Sequence, residues 1–308
     1  MKYRAIEPAW VVEPKDPVIV GMMRVKNEER WIERSVTSLL QVCSQVYVLD
    51  DASTDDTRAL AQRAGAIVID SPWGVPGQAL DESRDKNWLL DFATDPQFRP
   101  VDYVFCIDGD EELAPDSRGK ILAALKARPD IDCWGLKFLH LWDRTDQIRV
   151  DRWYSQFTRR SIFKPKAGLR FQSLYAKSGV NVHSGLHTGN APGSADASLA
   201  LMPGVFLIHY GYMVQADRIR KWKRYNELDP NNELEDCYRH CVQGDVPEVP
   251  AAALLRHAGP LQLAPLPKGL ARKPIAAARD EKGDAAGKFT ENSDARSNRM
   301  KEESVMSR

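Results

Sequence analysis

The chain has 308 residues, with 43 basic and 43 acidic side chains and a formal net charge of zero. That balance argues against a protein that coats nucleic acid through bulk charge, and the length suits one large α/β domain with an appendage. No apolar run approaches the roughly 20 residues of a membrane span, and the first sixteen residues lack the apolar core of a signal peptide.

In chain order, residues 17–23 are a short β-branched apolar run, which predicts a buried strand. Residues 28–42 follow with Ile32, Val36, Leu39 and Leu40 at helical spacing. A second strand over 45–49 runs into Asp50-Asp51-Ala52-Ser53-Thr54-Asp55-Asp56-Thr57, where Ser53 and Asp56 are spaced as a capping box for a helix ending near Gly65. Residues 66–70 predict a third strand and 80–92 a helix. The run Tyr103-Val104-Phe105-Cys106-Ile107-Asp108-Gly109-Asp110-Glu111-Glu112 is an apolar strand that ends in a cluster of carboxylates, and a helix starts at Asp116 and stops before Pro129. Strands alternating with helices predict a mainly parallel sheet flanked by helices, because parallel neighbours need crossover connections. Beyond residue 130, longer strands are predicted over 133–142 and 153–164 around a charged turn at 143–151. A loop-rich region over 168–203 precedes a strand over 205–210 that ends at His209. A basic helix over 216–228 leads to a helical or irregular segment, and from residue 259 the composition predicts a disordered tail. The domain layout is therefore an N-terminal extension (1–16), a main α/β domain (17–213), a C-terminal helical extension (214–258) and the tail (259–308).

The five cysteines are scattered and odd in number, which fits a reducing cytoplasm. Cys237 and Cys241, with His240 between them, have no second ligand pair at finger spacing and read as one helix face. Two acidic clusters, Asp50-Asp51 and 108–112, each follow an apolar strand of the same alternating region, so both open on one edge of a parallel sheet, where ligands bind. No glycine fingerprint follows the first strand and no Walker loop is present, which leaves phosphates to be managed by a divalent cation and side chains.

Four motifs then carry a resemblance: Val25-Lys26-Asn27-Glu28-Glu29 after the first strand, residues 48–57 after the second, Ser83-Arg84-Asp85-Lys86-Asn87 opening a helix, and the Asp-x-Asp of Asp108 and Asp110. In this order and spacing the chain resembles a family 2 glycosyltransferase of the type A fold over roughly residues 17–130. The resemblance implies a nucleotide-diphosphate sugar donor, Mg²⁺ or Mn²⁺, and a glycan or lipid-linked hydroxyl acceptor. It implies donor binding by Asn27, Glu28, Asp51, Arg84 and Asp108, with Asp51 at the nucleobase and Arg84 near the diphosphate. It also implies a cation held by Asp108, Asp110 and the late histidine His209. Some relatives carry a histidine followed by a glutamate where this chain has His183-Ser184 before His187, so the base does not transfer by resemblance. The candidates for deprotonating the acceptor in an inverting reaction are Glu111, Glu112, Asp143 and Asp151, and the sequence does not choose among them.

Trp153, Tyr154, Phe157, Arg159 and Arg160 form an aromatic and basic stretch that faces either acceptor or core. Arg218, Arg220, Lys221, Lys223 and Arg224 on the basic helix suit a diphosphate, peripheral contact with the inner face of a membrane, or plain solvation. Sugar transfer in the cytoplasm is the leading expectation. The alternatives are a nucleotidyltransferase or metal-dependent phosphotransferase, and a non-catalytic nucleotide-sugar or glycan-binding protein of the same fold.

Overall fold

The computed structural model describes residues 15–75, 81–98, 100–172, 189–192, 198–230, 238–245 and 259–270. Contacts divide the chain into two units, residues 1–272 and 273–308, and every described residue lies in the first. His183, Ser184, His187, Cys237 and the tail beyond residue 270 lie outside the described residues.

Four strands form the parallel half of the sheet: β1 (Ile19–Val25), β2 (Gln45–Asp50), β3 (Ile67–Asp70) and β4 (Tyr103–Cys106), in the order β3-β2-β1-β4. Their side chains alternate between two cores. From β1, Ile19, Met23 and Val25 enter one core and Val20 and Met22 the other. The helices α1 (Ile32–Leu40) and α2 (Thr57–Arg63) cover the first face with Ile32, Val36, Leu39 and Ala61. The helix α3 (Glu82–Ala93) covers the second with Leu89, Leu90 and Ala93. The chain thus changes face between β3 and β4 and returns on the far side of β1. Strand order reverses there, and a crevice opens beyond the carboxyl ends of β1 and β4.

The predicted capping box does not form. Ser53 Oγ donates to Asp50 instead, and Asp55 Oδ1 accepts from the Thr57 amide at 3.0 Å at the start of α2.

After β4 the chain makes β5 (Glu111–Leu113), α4 (Ser117–Ala127), β6 (Cys133–Trp142), β7 (Arg144–Arg149), α5 (Arg152–Gln156), β8 (Thr158–Phe163), β9 (Leu199–His209) and α6 (Gln215–Leu228). The expected charged turn at 143–151 is mostly a strand, β7, folded back on β6 through Asp143 at φ 60°. The expected strand over 153–164 is broken, because residues 152–156 wind into α5 and bury Tyr154. β8 runs antiparallel to both β4 and β6, so this half of the sheet is mixed.

The start of the expected disordered tail is ordered. The strand β10 (Leu263–Pro265) pairs antiparallel with β7. Asp151, 2% exposed, accepts from the Gly259 amide at 3.1 Å and the Gln262 amide at 3.4 Å, and Leu266 is buried against Leu141 and Ile148. A buried carboxylate with backbone donors to satisfy it outweighs the composition of that segment.

Candidate active site

Two registers assemble the site. The antiparallel pairing of β5 with β9 sets Glu111 opposite His209, and the Tyr210 amide donates to the Asp110 carbonyl at 2.9 Å. The parallel pairing of β6 with β9 sets His140 beside His209. Asp110, His209 and His140 therefore form a line. His209 Nε2 lies 3.5 Å from Asp110 Oδ2, and the two Nδ1 atoms of His209 and His140 are 3.1 Å apart, so one proton is shared between them. Burial pushes both imidazoles down, His140 well below its ordinary value, which leaves them neutral at pH 7. Among the described residues, His140 Nε2 is buried without a hydrogen-bond partner.

Lys221 on α6 completes the group, with its Nζ 2.6 Å from Asp110 Oδ2. Burial works against the Asp110 anion, but Lys221 and His209 hold its carboxyl well below the usual range. Glycine is required twice around this carboxylate. A methyl on Gly211 would sit 2.2 Å from both Asp110 Oδ2 and Lys221 Nζ, and one on Gly109 would sit 2.8 Å from Glu28 Cγ.

Asp108 is neutralised separately, by Arg159 at 2.9 Å and Lys86 at 3.7 Å. Lys86 is fully buried; burial alone would push its ammonium down, but Glu82, at 2.7 Å, and Asp108 carry it above its ordinary value. Its third partner is the Gly189 carbonyl at 2.8 Å.

Asp108, Asp110, His140, His209, Arg159 and Lys221 line a cavity of about 410 Å³ together with the aromatic rings of Phe138, Trp153, Phe157, Tyr212, Tyr225 and Tyr238. Trp153 and Phe157 pack with ring centroids 4.2 Å apart, and Trp153 stacks on His140 at 5.6 Å. The aromatic stretch read from the sequence thus faces the cavity with Trp153, Phe157, Arg159 and Arg160, while Tyr154 goes to the core.

A family model described as glycosyl transferase family 2 matches residues 22–179, just over half of the chain. The chain belongs to glycosyl transferase family 2. An uncharacterized glycosyltransferase of Rickettsia conorii is 36% identical over 105 residues, covering 33% of this chain and 32% of that protein. An uncharacterized protein of Mycobacterium tuberculosis is 27% identical over 227 residues, covering 69% of this chain and 51% of its own length. The chain thus spans about a third of the first relative and half of the second. Among solved structures, S. aureus TarS 1–349 aligns with 73% of this chain and 70% of its own, at 14% identity and a TM-score of 0.41. Glucosyl-3-phosphoglycerate synthase from Mycobacterium tuberculosis, crystallised with Mn²⁺, UDP-glucose and phosphoglyceric acid, aligns with 41% of this chain and 44% of its own, at 24% identity and a TM-score of 0.30.

In this family 2 chain, the residues expected at the donor and the cation fall into three groups. Asp108, Asp110 and His209 line the cavity. Asn27, Glu28 and Asp51 lie beyond β1 and β2, where the two loops are laced together. Asn27 Oδ1 accepts from the Thr54 amide at 2.8 Å, the Glu28 amide donates to Thr57 Oγ1 at 2.7 Å, and the Asp56 amide donates to Glu29 Oε2 at 3.1 Å. Asp51 is paired with Arg24 and, at 3.5 Å, Lys26. Arg84 stacks over Trp73 at 4.4 Å and pairs with Asp85, and the basic groups lining the cavity are Arg159, Arg160 and Lys221 instead.

None of the four candidates for the base lines the cavity, and each is engaged by a partner. Glu111 is bound by Arg159 at 2.6 Å and Asn190 at 3.1 Å, and burial with the nearby Asp108 and Asp110 charges pushes its carboxyl up to about 8. Glu112 accepts from Tyr210 OH at 2.5 Å. Asp143 pairs with Arg218 at 2.8 Å, and Asp151 with Arg149 at 2.7 Å.

The chemistry of the donor set suits a divalent cation in part. A carboxylate and a neutral imidazole converge beside the space kept open by Gly211, and Mg²⁺ or Mn²⁺ normally completes such a pair with substrate phosphate oxygens. Among the described residues no three His, Cys, Asp or Glu side chains are grouped to hold a metal, so the protein alone supplies an incomplete shell.

Proposed function

We propose that this chain transfers a sugar from a nucleoside-diphosphate donor to a hydroxyl acceptor, using a divalent cation and inverting the anomeric carbon. The observation that carries the reading is the cavity itself, which is lined by Asp108, Asp110, His209, Arg159 and Lys221 together with the packed rings of Trp153 and Phe157. The cationic Arg159 and Arg160 suit the diphosphate, and flat apolar rings suit a sugar face. Asp110 and His209 would hold the cation. When bound, it neutralises charge developing on the departing diphosphate. Arg159 adds fixed positive charge beside that pair, and Asp108, held in place by Arg159, is available to a sugar or ribose hydroxyl. The acceptor enters against Trp153 and Phe157. A glycan or lipid-linked glycan fits that wall, and the exposed Lys223 and Arg224 on α6 suit contact with an anionic membrane surface.

The test is incubation of the full chain with a panel of nucleoside-diphosphate sugars and Mn²⁺, followed by separation of the products. Release of nucleoside diphosphate supports sugar transfer. Release of sugar 1-phosphate points to nucleotidyl transfer, and binding without turnover across the panel points to a non-catalytic binder.

A further inference from the structure

Asp110 meets two different claims on one oxygen. Its Oδ2 is the atom that His209 Nε2 approaches at 3.5 Å, and the same Oδ2 takes the Lys221 ammonium at 2.6 Å. Gly211 sharpens the coincidence, since a single added methyl would lie 2.2 Å from Asp110 Oδ2, 2.2 Å from Lys221 Nζ and 2.8 Å from His209 Nε2. The ammonium therefore borders the same small space as the carboxylate and the imidazole, the space a cation bound by both would enter.

The local charge is already balanced without a metal. Asp108 faces Arg159 and Lys86, Glu82 also pairs with Lys86, and Asp110 has Lys221. Adding two positive charges beside an ammonium in a buried pocket is strongly unfavourable, because like charges repel across a poorly screening interior. Asp110 is 5% exposed, whereas the Lys221 side chain is 23% exposed, so the lysine is the partner with room to leave. A resting place is at hand, with the Tyr212 ring centroid 5.5 Å from its Nζ.

We propose that Lys221 is a built-in counter-cation of the Asp110 site that a divalent ion must displace, so that the free protein binds the metal weakly. This rests on the reading of Asp110 and His209 as the cation pair. A diphosphate favours the exchange twice: it supplies oxygens to the ion and an anion for the released ammonium. Lys221 thus ties cation entry to donor entry.

The test is Mn²⁺ titration of the full-length protein without nucleotide, with free Mn²⁺ followed by electron paramagnetic resonance. Lys221→Met is expected to bind Mn²⁺ at least tenfold more tightly than the native chain, and Lys221→Arg, which keeps the charge, is expected to match it. Lys221→Gln serves as a second neutral variant that retains a hydrogen bond to Asp110, should the methionine variant fail to fold by circular dichroism. Adding Asp110→Asn to the neutral variant is expected to abolish the gain. Affinities of the neutral variants within twofold of native, while Asp110→Asn still weakens binding, would overturn the role of Lys221 and leave the cation pair standing. Indifference of Mn²⁺ binding to Asp110→Asn would overturn both.

Discussion

The two acidic strand ends look alike in the sequence and are built differently. At the end of β2, Asp50 is turned inward to Ser53, and Asp51 is paired with Arg24 and Lys26, so its partners come from β1 and the loop after it. At the end of β4, Asp108 and Asp110 draw partners from β8, β9 and α6, namely Arg159, His209 and Lys221. The first end is closed within the parallel half of the sheet. The second exists only once the C-terminal half has folded onto it. With Asp51 at the nucleobase, as the resemblance implies, the first end would bind donor, while under the proposed reading the second holds the cation.

That division is open to direct attack. Asp110→Asn is expected to lower turnover by about a thousandfold, since it removes the anion that organises His209 and the cation. Melting temperature should be measured alongside, to separate lost chemistry from lost fold. Gly211→Ala is expected to cost about a hundredfold, because its methyl has no room beside Asp110 Oδ2 and Lys221 Nζ. Asp51→Ala should act on the other side of the comparison, raising KM for the donor about tenfold with kcat nearly unchanged. A loss of kcat in Asp51→Ala as large as in Asp110→Asn would remove the distinction between the two ends.

The parallel half was legible because its signals are local. Each strand is an apolar run, and the acidic residues that end β2 and β4 can be read one after another along the chain. The second half was not, because its decisive contacts depend on register. Nothing near His140 announces that β6 and β9 will pair in parallel and set it beside His209. Five basic residues on α6 looked equivalent, yet Arg218 is buried between Asp143 and Asp245, Lys221 reaches Asp110, and Lys223 and Arg224 face solvent. Tyr154 left the aromatic stretch for the core because Arg152–Gln156 coil into a helical turn, against the alternating pattern expected of a strand. The base stayed unassigned for a related reason. Glu111, Glu112, Asp143 and Asp151 are all carboxylates near the right part of the sequence, yet none of the four lines the cavity and the fold commits each to a partner, Glu111 to Arg159 of the lining itself.

Glu28 is where the two ends touch, and it gives the smallest expected effect. Its amide is laced to Thr57 at the β2 end, while its side chain covers Gly109 at the β4 end. Burial, with the Asp110 charge adding to it, pushes its carboxyl from the ordinary 4.5 up to about 8. Between those values the folded protein holds a proton that the unfolded chain has released, so this group makes stability fall as pH rises through that window, and adds no further loss above it. Glu28→Gln keeps the shape and the neutral state. It should match the native chain near pH 4.5 and exceed it by about 1 kcal/mol at pH 8.5, after discounting for the solvent that reaches this half-buried side chain. Urea unfolding at the two pH values measures the difference. An unchanged slope in Glu28→Gln would mean that Glu28 is ionised in the native state, which would add a second negative charge beside Asp110 and make the β4 end a stronger cation site than its Lys221 pairing implies.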